Sequence, residues 1–410
     1  RVPLLVALDG EWGLSMRLSG TPRFPRNMML GAIEDISLLR AYGYEIGRQC
    51  REMGIHINFA PVIDVNSNTG NPVIGIRSFG ENPQSVAERG SAYATGLESA
   101  GIVSVAKHFP GHGDTFEDSH FTLPSVFHDR FRLDSIEMPP FRRYISDGFA
   151  GIMTGHLFVP ALGKRPGVPT SLSREVVTNL LYEELGFRGL RFTDALAMKG
   201  ATDAVKDTNV CVMALLAGND VLLAPAAPAT DFEAVKAAVL NGTLEISDIE
   251  AKCIKILQYK YIAGLSDYKP VDVRGLRGRL NTSHAAYLAN RLNSEGLTLL
   301  KNDNEAIPVR KLATKKIAAL AIGADSGNPF QGMLNRYDTV ACFAITRTST
   351  PAEIAKVYKA LNDYDLILCS VHTVRIPEND VLRRLTEKKE TLFTFFTLPY
   401  FCREYAASLA

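Results

Sequence analysis

Between Val2 and Asp194 a short apolar run stops, again and again, at an ionisable side chain. Val2–Leu8 ends at Asp9, Ile57–Ile63 at Asp64, Ile102–Ala106 at Lys107, Ala150–Thr154 at His156 and Leu190–Thr193 at Asp194. Val221–Leu223 is a sixth run, and helical spacing fills intervals at about 34–53, 85–100, 174–185 and 209–217, with Ser85 and Glu88 reading as a capping box. Strand-then-helix alternation predicts a parallel α/β protein. Polar residues at the ends of many strands, with no Gly-rich phosphate loop, favour a (β/α)8 TIM-type barrel over a doubly wound sheet. Six strands do not close a barrel of eight. The chain opens on Arg1, without an initiator methionine or a signal peptide, so the first strands are expected upstream of it.

The barrel domain is expected over 1–265, with long helical segments from about 231 closing it. Residues 266–280 (SDYKPVDVRGLRGRL) have no periodicity and contain Pro270, Gly275 and Gly278, which predicts a linker. From 281 to 410 an α/β/α sandwich is expected. Its helices fall at 282–295, 351–362 and 379–389, and its strands at 297–300, 317–322, 340–345, 366–371 and 392–397. A formal net charge of +1 argues against nucleic-acid or anionic-membrane partners. No apolar run approaches the roughly 20 residues of a membrane span. The six cysteines lie far apart, without a C-x-x-C pair, and predict core residues rather than disulfides.

Lys107 to His120, KHFPGHGDTFEDSH, concentrates more titratable side chains than a fold needs, and five of the eight histidines fall between 108 and 156. Pro110, Gly111 and Gly113 break regular structure, which leaves a loop above a strand end. Three explanations stand at this point. A polar loop satisfies its own backbone; or His108, His112, Asp114 and His120 ligate zinc, although their spacing matches no compact ligand signature; or the loop does acid/base chemistry. In an extended turn Asp118 and His120, separated by one small residue, face the same way, and an imidazole titrates near neutrality.

This loop, with Asp9-Gly10-Glu11 and Phe192-Thr193-Asp194-Ala195-Leu196-Ala197-Met198, resembles the bacterial β-N-acetylglucosaminidases of glycoside hydrolase family 3. Leu297–Asn302 (LTLLKN) resembles the opening of that family's sandwich domain. The resemblance implies retaining hydrolysis of terminal β-linked N-acetylglucosamine, with peptidoglycan (muropeptide) fragments as substrate class and no cofactor or metal. It assigns Asp194 as nucleophile, His120 as general acid/base and Asp118 as its partner. Asp9, Arg17, Arg77, Lys107 and His108 take positions that hold the sugar. The plain alternative for Asp194 is a helix cap. Trp12 departs from the family, which has a glycine there, and is expected to wall the sugar site. Phosphorolysis, a metal-dependent hydrolase and an inactive sugar-binding module are the other functions considered. Oligomeric state is left open, and the compartment, bacterial cytoplasm or periplasm, depends on any signal upstream of Arg1.

Overall fold

The computed structural model describes residues 2–119, 122–163, 165–205, 208–302, 305–310, 312–373, 381–386 and 390–406. The chain divides into two compact units, Arg1–Thr298 and Leu299–Ala410. That boundary lies later than expected. The stretch 266–280 and the helix Ser283–Glu295 pack on the first unit, because Leu280, Ala285, Leu288 and Leu292 are apolar at helical spacing and join its main core. Arg279 Nε also donates to Glu52 Oε2 at 2.7 Å, and Arg48 Nη1 donates to the Arg279 carbonyl at 2.8 Å.

The first unit is built on five parallel strands: β1 (Ala7–Leu8), β2 (Ile57–Asn58), β3 (Val103–Phe109), β4 (Gly151–Thr154) and β5 (Leu190–Thr193). They pair in chain order, β1-β2-β3-β4-β5, and a bridge from Phe192 to Val221 adds the sixth run. The described residues form a partial, curled sheet that does not close into an eight-stranded barrel. Strand alternation separates its two faces. Ile57, Phe59, Val103, Val105, Leu190 and Phe192 fill the inner cluster, whereas Ile102, Ala106 and Ile152 pack outward against helices.

Two of those helices position the site directly. Ile36–Glu52 starts at Asp35, whose carboxylate accepts from the Ser37 amide at 3.0 Å. Pro83–Ser99 is capped by Asn82, not by Ser85 as expected, because proline fits the first helical position and the Asn82 oxygen accepts from the Ser85 amide. The pair pack backbone to backbone: a Cβ on Gly43 would lie 2.2 Å from the Tyr93 carbonyl. This approach brings Tyr42 and Tyr93, both fully buried, ring to ring at 4.9 Å, with their hydroxyls on the Glu11 carbonyl at 3.3 and 3.1 Å.

The second unit is an α/β/α sandwich. Its strands β6 (Ile317–Ile322), β7 (Ala341–Ile345), β8 (Leu366–Val371) and β9 (Glu390–Phe395) are all parallel, in the order β7-β6-β8-β9. Ala318, Leu320 and Ile322 face one core while Ile317 and Ala319 face another, so both sides of the sheet are covered. Leu297–Leu300, expected as a strand, is irregular. Leu297, Leu299 and Leu300 are exposed and none of the four residues pairs with the sheet. Of the helix expected over 379–389, Val381–Thr386 is described.

Candidate active site

The alternation that builds the inner core also aims the site. Leu5, Val105 and Phe192 point inward, and an even number of residues beyond each stands Asp9, Lys107 or Asp194 at the carboxyl end of its strand. Lys107 is buried and donates to Asp9 Oδ1 at 2.8 Å, with Glu11 Oε1 at 2.9 Å. Arg77 grips the same Glu11 in two places, Nε to Oε2 at 3.0 Å and Nη2 to Oε1 at 2.7 Å. Arg17 Nη2 reaches Asp9 Oδ2 at 3.2 Å from the more open side. Burial alone raises the Glu11 pKa, but the charges of Lys107 and Arg77 outweigh it and hold the carboxyl far below its ordinary range. Lys107 stays protonated for the reciprocal reason: burial lowers its pKa, and Glu11 and Asp9 raise it more.

His108 is fixed by a second buried carboxylate. Asp64 accepts from the His108 amide at 3.1 Å, the His112 amide at 2.8 Å and His108 Nδ1 at 2.8 Å. The His108 ring therefore carries its proton on Nδ1 and keeps Nε2 for other partners. Asp194, partly exposed, accepts from the Ala195 amide at 2.7 Å, and its own amide donates to the Thr154 carbonyl at 3.0 Å. Burial pushes its pKa up, yet His108 first, then His156, the Ala195 amide and Lys107, bring it below the ordinary carboxylate value. His156 braces this turn from behind. It is fully buried, with Nδ1 on Ser171 Oγ at 2.7 Å and Nε2 on the Ala195 carbonyl at 3.0 Å.

Asp9, Arg17, Arg77, Lys107, His108 and Asp194 thus belong to one mouth, tied by hydrogen bonds or by charge. Asp118 lies half-buried on the loop that follows β3, and its carbonyl accepts from the Thr122 amide at 3.1 Å. His120 lies outside the described residues. Trp12 is partly exposed beside Glu11, with the Arg26 guanidinium 4.6 Å from its ring centre, a cation–π contact. Glu11, Asp64 and His156 were not predicted as site residues, and His112 was considered only as a zinc ligand. Asp64 and His156 carried the same strand-end signal as Asp194, whereas nothing local marked Glu11 as the partner of Arg77.

Of the four zinc ligands considered on the loop, His112 has both ring nitrogens engaged within the protein and His108 has one. His112 is turned to Thr115 Oγ1 at 2.9 Å and Ser119 Oγ at 3.1 Å, and His108 Nδ1 is engaged by Asp64. Among the described residues one group has metal-like convergence, Asp114, His128 and Glu137. A cation already serves it: Arg132 Nη2 lies 3.1 Å from Glu137 Oε1 and 3.6 Å from Asp114 Oδ2. His128 Nε2 meets Asp114 directly.

A mouth of fixed charges above the ends of consecutive parallel strands is the site plan of α/β-barrel-type enzymes. The sequence pattern of the glycosyl hydrolase family 3 N-terminal domain matches residues 1–259, and the chain belongs to that family. It is 40% identical over 243 residues to a beta-hexosaminidase A of Pseudoalteromonas piscicida, covering 55% of this chain and 40% of that protein. A beta-hexosaminidase of Nitrosomonas eutropha is 36% identical over 228 residues, covering 54% of this chain and 64% of that protein. The chain thus spans less than two thirds of these curated relatives. Among solved structures, a glycoside hydrolase family 3 beta-N-acetylglucosaminidase from Paenibacillus sp. str. FPU-7 superposes with a TM-score of 0.82 at 30% identity, over 98% of this chain and 79% of that one. Among the described residues no helix is long and apolar enough to cross a membrane.

Proposed function

We propose that this chain removes terminal β-linked N-acetylglucosamine with retention at the anomeric carbon, and that muropeptide fragments are its substrate class. The observation that carries the proposal is Asp194, a carboxylate kept ionised on the inner face just past β5. In that state it is a nucleophile for the anomeric carbon. The names of the relatives support the choice of sugar. His120, oriented by Asp118, protonates the leaving oxygen and then deprotonates the water that cleaves the glycosyl intermediate. An imidazole in this role adds no second anion beside the nucleophile. Asp9, Lys107, Arg17, Arg77 and His108 hold the sugar's hydroxyls and shape the pocket. We further propose that the first unit follows the (β/α)8 plan, on the strength of its all-parallel strands in chain order.

Turnover of an aryl β-N-acetylglucosaminide and the matching β-glucoside, each with and without phosphate, tests the activity. Preference for the N-acetyl sugar, with free sugar as product in both buffers, is expected. Equal turnover of the glucoside would refute the sugar assignment, and sugar 1-phosphate would make the enzyme a phosphorylase.

A further inference from the structure

Ser119 stands between the two residues assigned to acid/base work, and it is almost wholly buried, 2% exposed. Its hydroxyl lies 3.1 Å from His112 Nε2. Its carbonyl accepts from the Gly200 amide at 3.4 Å, and Gly200 lies in Lys199–Thr202, the turn of helix just after the Asp194 loop. Gly200 is the residue that permits this contact. A Cβ there would lie 3.1 Å from the Ser119 carbonyl, 3.0 Å from that of Thr122 and 3.2 Å from the His156 Cβ.

Hydrogen bonds within the protein engage both ring nitrogens of His112. Thr115 donates its single hydroxyl proton to the His112 carbonyl at 3.2 Å and accepts from Asn71 Nδ2 at 3.2 Å. Its hydroxyl also lies 2.9 Å from His112 Nδ1, and the His112 carbonyl accepts a second hydrogen bond from Asn71 Nδ2 at 2.8 Å. On either tautomer Nε2 and the Ser119 hydroxyl make one donor–acceptor pair. His112 is only 1% exposed, and burial favours its neutral ring.

We infer that His112 and Ser119 are positioning residues for the acid/base step: their hydrogen bond pins the Asp118–Ser119 segment to the core and against the nucleophile's own loop. The inference rests on the function proposed above. The pin fixes the backbone that carries Asp118, the residue proposed to orient the acid/base imidazole, and the Asp118 carbonyl is held in turn by the Thr122 amide at 3.1 Å. A loop that has lost it still binds substrate but delivers a proton less often.

The test compares wild type with Ser119→Ala, Ser119→Thr, His112→Asn and His112→Gln. Each is assayed on an activated aryl N-acetylglucosaminide and on an unactivated N-acetylglucosamine disaccharide, with hydrogen exchange followed over residues 113–123. The Ser119→Ala enzyme should lose about ten-fold or more additional kcat on the disaccharide relative to the aryl substrate, a fraction of the 10²–10⁴ that a whole acid/base group supplies. Its KM should be little changed, and its loop should exchange faster. Ser119→Thr, which keeps the hydroxyl, should restore the disaccharide rate. His112→Asn should follow Ser119→Ala, and His112→Gln, whose amide reaches the Nε2 position, should fall between. Equal losses on both substrates, or unchanged exchange in Ser119→Ala, would overturn the inference. If wild type hydrolyses neither substrate, the function fails, and exchange alone then decides whether the pin exists.

Discussion

Glu11 shows what a single buried residue does here. It is 1% exposed and shared by Lys107 and Arg77, so it gathers two cations from separate segments into one wall of the mouth. Truncating one member of a buried ion network leaves its partners charged and unpaired, which costs about 3–5 kcal/mol. Glu11→Ala is therefore expected to lower the stability to urea by an amount in that range and to release Arg77 from the mouth. A loss under about 1 kcal/mol would show that Lys107 is held by Asp9 alone. At this scale the sequence was partly legible. Asp9, Lys107 and Asp194 are readable because each continues the inward parity of its own strand, a period-two signal. Glu11 is not, since its partner Arg77 lies 66 residues away, and neither is His112, whose role depends on a contact with Ser119 that only the folded loop creates.

At the scale of elements, the loop after β3 is held by contacts so close that they dictate its composition. A Cβ on Gly113 would sit 1.7 Å from the Val65 carbonyl, so no side chain fits without moving the loop after β2. Gly113→Ala should cost at least the ~1–3 kcal/mol typical of overpacking. It should reduce kcat by misplacing His112 and the residues after it. Thermal unfolding and kinetics on the aryl substrate check both effects, and a variant with wild-type Tm and kcat would show that the two loops separate freely. Helices and the alternation of β6 and β8 were legible because their periodicities are long and regular. The caps and the run Leu297–Leu300 misled: Asn82 and Pro83 outcompete Ser85 as a helix start, and a short run of strand-like residues makes a strand only where a sheet edge receives it.

At the scale of the whole molecule, helix Ser283–Glu295 belongs to the first unit because its apolar stripe completes that unit's core, a fact that composition around the supposed linker did not reveal. The buried site also gives the molecule a pH signature. Burial pushes the His112 pKa down to about 4, from the 6.5 of an exposed imidazole. Between those values the unfolded chain binds a proton that the folded one does not, so stability falls as pH falls; from pH 7 to 5 this group alone removes about 2 kcal/mol. Glu11 and Asp64, held ionised in the fold, add to the loss as pH falls through and below the ordinary carboxylate range. Urea unfolding at pH 7 and pH 5 should show this slope, and His112→Asn should flatten it. An identical slope in that variant would place the acid sensitivity elsewhere.

The central claim is that Asp194 becomes covalently attached to the sugar. Stopping the wild-type enzyme with acid during turnover of an activated aryl N-acetylglucosaminide, then mapping its peptides by mass, tests this most directly. The account predicts one N-acetylhexosaminyl group on the peptide containing Asp194, and none in Asp194→Asn. An enzyme that turns over while its only sugar-bearing peptide lacks Asp194 would contradict it.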